Sequence, residues 1–508
     1  MKINLDRESR TPLYLQIKNQ VRQLILGRVL QPGYRLPPER KLAAALGVNR
    51  STVVNAYREL EADGLIESHV GRGTVVKYVP DRESGDEAYS TVQPPAWKNL
   101  FSSRASRMFN PFISDMLELV TSEDTISLAV GVPAREFHPS EDFNNIISGL
   151  INKEGGCLFE HGPTAGHYPL REYLAQFMRN KGIQAGPDNI IILSGSQQGL
   201  DLAAKVLIEP GDPVVIEEQT YMGAIQVFAT AGARILSVPM DEEGMRLDIL
   251  EQLVSRYRPK LIYTQPTYQN PSGITMSGSR RRDLLRLVYR FHVPVIEDDP
   301  YSELCFEGGP VSSLKSLDAA DHVIYLSTFS KMLFPGLRLG WMAAPADLVR
   351  QLLMAKQLDD LHTNSLAQWA VNKYCREGLL QGHLEKVRGE YHKRRDAMLA
   401  SLAEYAPSGL RWSRPAGGFH VWCRLPEGVQ AGSLLAYSVE KKVAFVPGGI
   451  FYANGGGKEM FRLSFSRCSP ARIRKGISII CDALRDLSNT GPDHKKDTRH
   501  VREEGQLF

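Results

Sequence analysis

Long apolar runs are missing. Nowhere do the 508 residues sustain the roughly 18 uninterrupted apolar positions that a membrane-spanning helix needs. The opening MKINLDRESRTPLYLQ has no apolar core of the signal-peptide kind. No span and no secretory leader are expected, and the cytosol is the expected compartment. Cysteine is scarce: six, at Cys157, Cys305, Cys375, Cys423, Cys468 and Cys481, without CxxC spacing. That distribution suggests neither a disulfide framework nor a zinc site, and the thiols read as reduced packing residues. A large charge excess is absent too, with 61 Lys+Arg against 57 Asp+Glu.

What is present is a globular composition, 43% hydrophobic and 23% charged, on a chain long enough for about two to four structural units. The small net charge of +4 is unevenly spread. Residues 1–79 hold 13 Lys+Arg and 7 Asp+Glu, a local +6 that leaves −2 for the rest. Positive charge at the front suits a phosphate-binding module, although a solvated basic face has the same composition, so motifs must decide.

From Thr11 to Arg28, Leu13, Ile17, Val21, Leu24 and Ile25 recur at helical spacing, and Gly27 and Pro32-Gly33 end the pattern. Pro37-Pro38-Glu39 opens a second short helix, Arg40 to Leu46, because proline is tolerated in a first turn. After Gly47-Val48-Asn49, either Asn49 or Ser51 can cap a third helix carrying Val53, Val54, Tyr57 and Leu60 inward. Leu65 to His69 and Thr74 to Val76 alternate like strands around Val70-Gly71-Arg72-Gly73, a two-stranded wing.

Two short helices across a glycine turn make a helix-turn-helix, whose second helix offers its first residues to base edges. This places Asn49, Arg50, Ser51 and Thr52 at DNA, with Arg50 able to fork onto a guanine. Arg40 and Arg72 suit phosphates or the minor groove and so mostly position the protein. The run TPLYLQIKNQVRQLI, GYRLPPERKLAAALGVNRSTVVNAYRELEADGLIES and GRGT resembles the GntR-type winged helix over residues 11 to 76.

Residues 80–120, with DRESGDEAYS and QPPAW, read as a partly ordered linker. Beyond it, β-branched runs at 190–193, 213–216, 260–263, 293–296 and 323–326 alternate with helical patterns, which argues for a mostly parallel sheet covered by helices. The tail from 489 to 508 is polar and expected to fray.

Three features stand at the ends of these strands. Lys331 follows Val323–Leu326 in Ser327-Thr328-Phe329-Ser330-Lys331. Glu297-Asp298-Asp299-Pro300-Tyr301 follows Val293–Ile296, where acids often face a ligand, although capping of the next element is the plain alternative. Gly195-Ser196-Gln197-Gln198-Gly199 lies between a strand and a helix and points free N–H groups at an anion, with Thr328, Ser330 and Arg338 to complete the grip. A buried Asp298 can hold a proton on a pyridine nitrogen, and Tyr301 can donate to a phenolic oxygen.

In order, GSQQGLDLAAKVLIEPGDPVVIEEQTYMGA, PTYQNPSG, EDDPYSEL, STFSKMLFPGLRLGW and FRLSFS resemble the fold-type I aminotransferases over residues 121–488. The resemblance implies pyridoxal 5′-phosphate (PLP) as cofactor, with Lys331 forming the internal aldimine and Asp298 pairing with the ring nitrogen. It gives Asn270 and Tyr301 to the phenolic oxygen, Tyr221 to ring stacking, and Ser196, Gln197, Thr328, Ser330 and Arg338 to phosphate. Arg462 matches the arginine for a substrate carboxylate, a task suited to a bidentate guanidinium. His161 stands where many relatives carry a tyrosine that reaches the partner subunit's phosphate.

A GntR-type head (1–79), a linker (80–120), an aminotransferase-like body (121–488) and a polar tail (489–508) together resemble the MocR regulators. The expected fold is multidomain: an α/β winged helix-turn-helix followed by an α/β domain with a mostly parallel central sheet. The resemblance implies a head-to-tail homodimer on double-stranded DNA that senses an amino acid or related amine through aldimine exchange at Lys331. The alternative is a working aminotransferase with an accessory DNA-binding domain, since the catalytic set looks intact.

Overall fold

Apolar residues three and four apart wind the first helix, α1 (Leu13–Leu26), and bury Ile17, Val21 and Ile25. The computed structural model describes residues 3–7, 11–27, 29–69, 73–77, 96–108 and 124–489. The chain divides into two compact units, Met1–Trp97 and Lys98–Phe508.

In the first unit, α2 (Glu39–Leu46) stops at Gly47, and α3 (Arg50–Ala62) buries Val53, Ala56, Tyr57 and Leu60 against α1. Val53 and Leu60 each contribute on the order of 1.5–3 kcal/mol of transfer free energy. Tyr57 donates to the Pro37 carbonyl at 3.0 Å, tying α3 to the start of α2. The wing is the antiparallel pair β1 (Ile66–His69) and β2 (Gly73–Val76), with Ile66 opposite Val76. Asn49 occupies the N-cap of α3, but neither its side chain nor that of Ser51 closes the cap: no side-chain bond is made there. Arg72 lies outside the described residues.

In the second unit, the buried runs Ile190–Leu193, Pro213–Glu217, Leu261–Thr264, Val295–Asp298 and Val323–Thr328 form a seven-stranded sheet with Arg234–Val238 and Gly340–Ala343. Spatially the order starts at Ile190–Leu193, then Gly340–Ala343, Val323–Thr328, Val295–Asp298, Leu261–Thr264, Pro213–Glu217 and Arg234–Val238. Gly340–Ala343 alone runs antiparallel to its neighbours. Helices on both faces leave every strand but Arg234–Val238 buried nearly throughout rather than on alternate residues. The parallel strands deliver their carboxyl ends to one rim, where Asp298, Thr328 and the turn before Ser196 stand together.

A smaller antiparallel sheet places Arg411–Trp412, His420–Arg424, Met460–Ser464 and Val446–Pro447 side by side, with Trp422 opposite Arg462. The helices Leu379–Tyr405 and Pro470–Asn489 pack against each other. Two short helices, Trp97–Leu100 and Ser103–Met108, fall within the segment read as linker; the second packs on Met222–Ala231. Residues 78–95, 109–123 and 490–508 lie outside the described residues, so most of that segment and nearly all of the tail do too. Cys375, Cys423, Cys468 and Cys481 are buried, and no helix among the described residues is long and apolar enough to cross a membrane.

Candidate functional site

The short helix Phe329–Met332 continues directly from the strand Val323–Thr328 and brings Lys331 to the rim of the sheet. Its Nζ donates to the Gly131 carbonyl at 2.7 Å. Burial, reinforced by the Arg462 and Arg338 cations and opposed by Asp298, holds the ammonium down at about 8. Such a lysine gives up its proton far more readily than a surface one, as a nucleophile or base must.

Asp298 ends its strand at 2% exposure. Its Oδ2 accepts from the Tyr263 hydroxyl at 2.8 Å and from Gln265 Nε2 at 2.7 Å, whereas its Oδ1 is buried and has no partner among the described residues. Burial pushes the carboxyl up to about 6 against those two hydrogen bonds. A carboxylate held on one oxygen and bare on the other is shaped to receive one more donor.

The anion cradle sits on the next strands. Gly195 precedes the helix Ser196–Leu207 at φ 94°, a conformation that favours glycine, and a Cβ there would stand 2.6 Å from Arg338 Nη2. Arg338 donates to the Ser194 carbonyl at 3.0 Å. Thr328 donates to Ser330 Oγ at 3.0 Å, or to the Leu339 carbonyl at 3.1 Å. Gln197 donates to the Gly223 carbonyl at 3.1 Å and accepts from the Tyr221 hydroxyl at 3.0 Å, which fixes the Tyr221 ring beside the cradle. Burial pushes the Tyr221 phenol up to about 12, so it stays a neutral donor.

Arg462 closes the pocket from the smaller sheet. It donates to Asn270 Oδ1 at 2.8 Å and to the Ala129 carbonyl at 2.6 Å, while its Nε is buried without a partner among the described residues. Burial lowers its affinity for a proton to about 10, which still leaves it charged near neutral pH. Tyr301 is 2% exposed and meets His420 Nε2 at 3.1 Å.

His161 stands apart from these groups. It is exposed, and its ring partner is His362, with Nδ1 to Nε2 at 3.2 Å. In the head, Arg40, Asn49, Arg50 and Ser51 are exposed and Thr52 is half-buried. The last four open α3, while Arg40 lies on α2. Glu39 Oε2 accepts from Arg50 Nε at 3.3 Å and Nη2 at 3.0 Å. That contact occupies one edge of the guanidinium and leaves Nη1 for another acceptor.

Several supporting residues were not read from the sequence. Tyr263 and Gln265 hold Asp298, Gly131 receives Lys331, and His420 meets Tyr301. Asp360 braces the cradle from behind by accepting from Ser194 Oγ at 3.0 Å, Gln198 Nε2 at 2.8 Å and Lys356 Nζ at 2.6 Å. Tyr263 and Gln265 flank a strand end and therefore carried a positional clue. Asp360, which follows Gln198 by 162 positions, carried none.

Residues 123–480 match the family described as aminotransferase class I and II, and residues 13–76 match the gntR family of bacterial regulatory proteins. The chain is 40% identical to aromatic-amino-acid aminotransferase 1 of Thermococcus litoralis over 77% of this chain and 95% of that protein. It is 31% identical to the HTH-type transcriptional regulator YisV of Bacillus subtilis, over 95% and 98% of the two chains. With the probable rhizopine catabolism regulatory protein MocR of Rhizobium meliloti the identity is 28% over 96% and 97%. The crystal structure of LysN, the α-aminoadipate aminotransferase of Thermus thermophilus, complexed with N-(5′-phosphopyridoxyl)-L-leucine, superposes with a TM-score of 0.74 at 38% identity, over 78% of this chain and 100% of that one. A body of the class I and II aminotransferase family behind a GntR-type winged helix makes the chain a member of the MocR subfamily of GntR-type regulators.

Proposed function

We propose that the chain is a PLP-dependent DNA-binding transcription regulator whose body takes an amino acid or related amine at Lys331. The observation that carries the reading is the convergence of Lys331, the bare Oδ1 of Asp298 and the Arg338 cradle in one pocket, on a chain that also has a DNA-binding head. The residues fit the cofactor. Asp298 Oδ1 lacks a donor of the kind that a ring N–H supplies, and Ser196, Gln197, Thr328, Ser330 and Arg338 are the candidates to hold phosphate. Asn270 and Tyr301 are the candidates for the phenolic oxygen, and Tyr221 for the ring face.

Bound there, PLP supplies a carbon that captures primary amines and an electron sink for charge formed at the amine's α-carbon. Lys331 would be the attachment point and, when its amine is free, a base within the pocket. Asp298 would hold a proton on the ring nitrogen. Arg462 orients a carboxylate through its guanidinium, which selects amino acids over simple amines. Effector binding moves DNA occupancy only insofar as the effector prefers one arrangement of the protein, and a preference of about 1–3 kcal/mol changes affinity from severalfold to over a hundredfold.

A homodimer belongs to the same reading. Met354, Leu358 and Leu361, spaced by four and three residues, are exposed, and Leu358 is 91% exposed. Exposed Phe159 stands two residues before His161 in the chain, and Leu361 immediately before His362. Exposed large apolar side chains of this kind suit a self-complementary interface. In a dimer, His161 would be the residue offered to the partner's cradle. Sedimentation equilibrium is expected to read a dimer, and a monomer at all concentrations refutes the arrangement.

A second reading, a working aminotransferase, is favoured by the readily deprotonated Lys331. Given amino acids and 2-oxo acids, the purified protein is expected to exchange amino groups without sustained multiple turnover. Rapid turnover would make the enzyme the main function.

For the head, an operator is first selected from a random duplex pool. Arg50→Ala is then expected to weaken binding to it by roughly 5- to 100-fold, the cost of about 1–3 kcal/mol for a lost bidentate base contact. Binding to unrelated DNA should change less. Glu39→Gln, which releases one edge of Arg50, is expected to lower the ratio of specific to non-specific binding. A mobility-shift titration at fixed salt reads both, and equal losses on both DNAs for Arg50→Ala would reassign it to phosphate.

A further inference from the structure

His420 is used by none of the chemistry above, yet it lies in the middle of the site. It opens the strand His420–Arg424, is 1% exposed, and stands edge to face against Tyr301 with ring centroids 5.7 Å apart at 88°. Its Nε2 is 3.1 Å from the Tyr301 hydroxyl, and its Nδ1 is buried without a partner among the described residues. Room for the ring comes from Gly131, where a Cβ would stand 2.3 Å from His420 Cε1 and 2.9 Å from Nε2. The same glycine's carbonyl receives Lys331. Imidazole and lysine therefore meet at a single residue. Burial, with the Arg462 and Lys331 cations adding to it, holds the imidazole's proton affinity well below the ordinary histidine value, so the ring is neutral.

A neutral imidazole carries one N–H. Placed on Nδ1, that hydrogen would be a buried donor with no acceptor among the described residues, whereas a bare acceptor is the less costly orphan. The hydrogen therefore belongs on Nε2, where His420 donates and the Tyr301 oxygen accepts. The phenol's own hydrogen is then turned away from His420 and left for a group in the pocket. Were the imidazole reversed, Tyr301 would spend its hydrogen on Nε2.

We infer that His420 is a positioning residue acting through Tyr301: it commits the Tyr301 hydroxyl to donate to the phenolic oxygen of the cofactor. The inference rests on the PLP reading given above. A donor at that oxygen stabilises its negative charge and lowers the proton affinity of the adjoining nitrogen linked to Lys331. Weakening the donor raises it.

The test uses full-length protein loaded with PLP and follows the visible band of the lysine-linked cofactor against pH. In His420→Phe the midpoint is expected to rise by roughly one pH unit, the scale of one weakened hydrogen bond to a charged oxygen. Tyr301→Phe is expected to move it at least as far, and the double variant no further than Tyr301→Phe alone, because both changes act on one bond. His420→Gln, whose amide can donate in place of Nε2, should stay near the wild-type midpoint. An unmoved midpoint in His420→Phe, or additive shifts in the double variant, overturns the inference and leaves the PLP site standing. A wild-type protein with no Lys331-dependent band sinks the PLP reading itself. Nitrogen NMR on histidine-labelled wild-type protein needs no variant and is expected to find Nε2 protonated; a proton on Nδ1 overturns the assignment.

Discussion

The Lys331→Ala protein is expected to lose the visible band of lysine-linked PLP completely. In wild-type protein, borohydride reduction followed by peptide mass analysis should fix the phosphopyridoxyl group on Lys331; in the variant it should be fixed nowhere. The expectation is sharp because of where the other lysines stand. Among the described residues, Lys356 is the one other lysine whose ammonium is held below its ordinary value. Its Nζ is bound to Asp360 at 2.6 Å and to Thr363 at 3.0 Å, behind the cradle loop that Asp360 braces. Lys181 and Lys205 sit in ion pairs with acids and hold their protons more tightly than usual. A band that survives in Lys331→Ala would therefore have to be traced to a lysine this reading does not use. DNA binding by the variant without effector should persist, because the head forms its own core from Ile17, Val21, Val53 and Leu60.

Much of this site was legible because its parts sit at strand ends. A β-branched run followed by Asp298, by Lys331 or by Gly195-Ser196 announces both the strand and the polar group it delivers. Periodicity could likewise place the three head helices, since each buries a stripe. What stayed hidden has physical reasons. Gly340–Ala343 is short, lacks β-branched residues and reverses direction within a parallel sheet, so neither composition nor alternation marks it. Arg234–Val238 is an edge strand, half-exposed along most of its length, and its burial pattern is weak. The cap of α3 went unformed although Asn49 stands at the right position, because residue type permits a side-chain bond without requiring it. The supports of the site are contacts distant in sequence: His420 and Tyr301 are 119 positions apart, and Arg462 and Asn270 are 192 apart. A single sequence contains no local trace of such pairings. His161 shows the reverse case, since the sequence singled it out and the folded unit gives it only His362 as a ring partner.

Asp298→Asn should weaken PLP binding by roughly a hundredfold near neutral pH, on the scale of about 3 kcal/mol for breaking one buried charge pair. The substitution preserves shape. The asparagine carbonyl oxygen can still accept from Tyr263 and Gln265 on one side, but the amide turns an NH2 toward the position where the bare Oδ1 stood, and the negative charge is gone. The pH dependence separates the charge from the shape. In the wild-type pocket, burial holds the carboxyl at about 6, so above that value it is a carboxylate and can stabilise a proton on the ring nitrogen. As pH falls through about 6, the free protein's carboxyl takes up a proton that binding must expel, and the wild-type advantage shrinks. The asparagine variant has no such group and should lack that step. Titrations of PLP into both apoproteins from about pH 5 to about pH 8, read by absorbance, are therefore expected to give curves that approach each other on the acid side and separate fully above about pH 6. A constant difference at every pH would mean that the charge of Asp298 has no part in holding the cofactor, and that the residue acts there by hydrogen bonding alone.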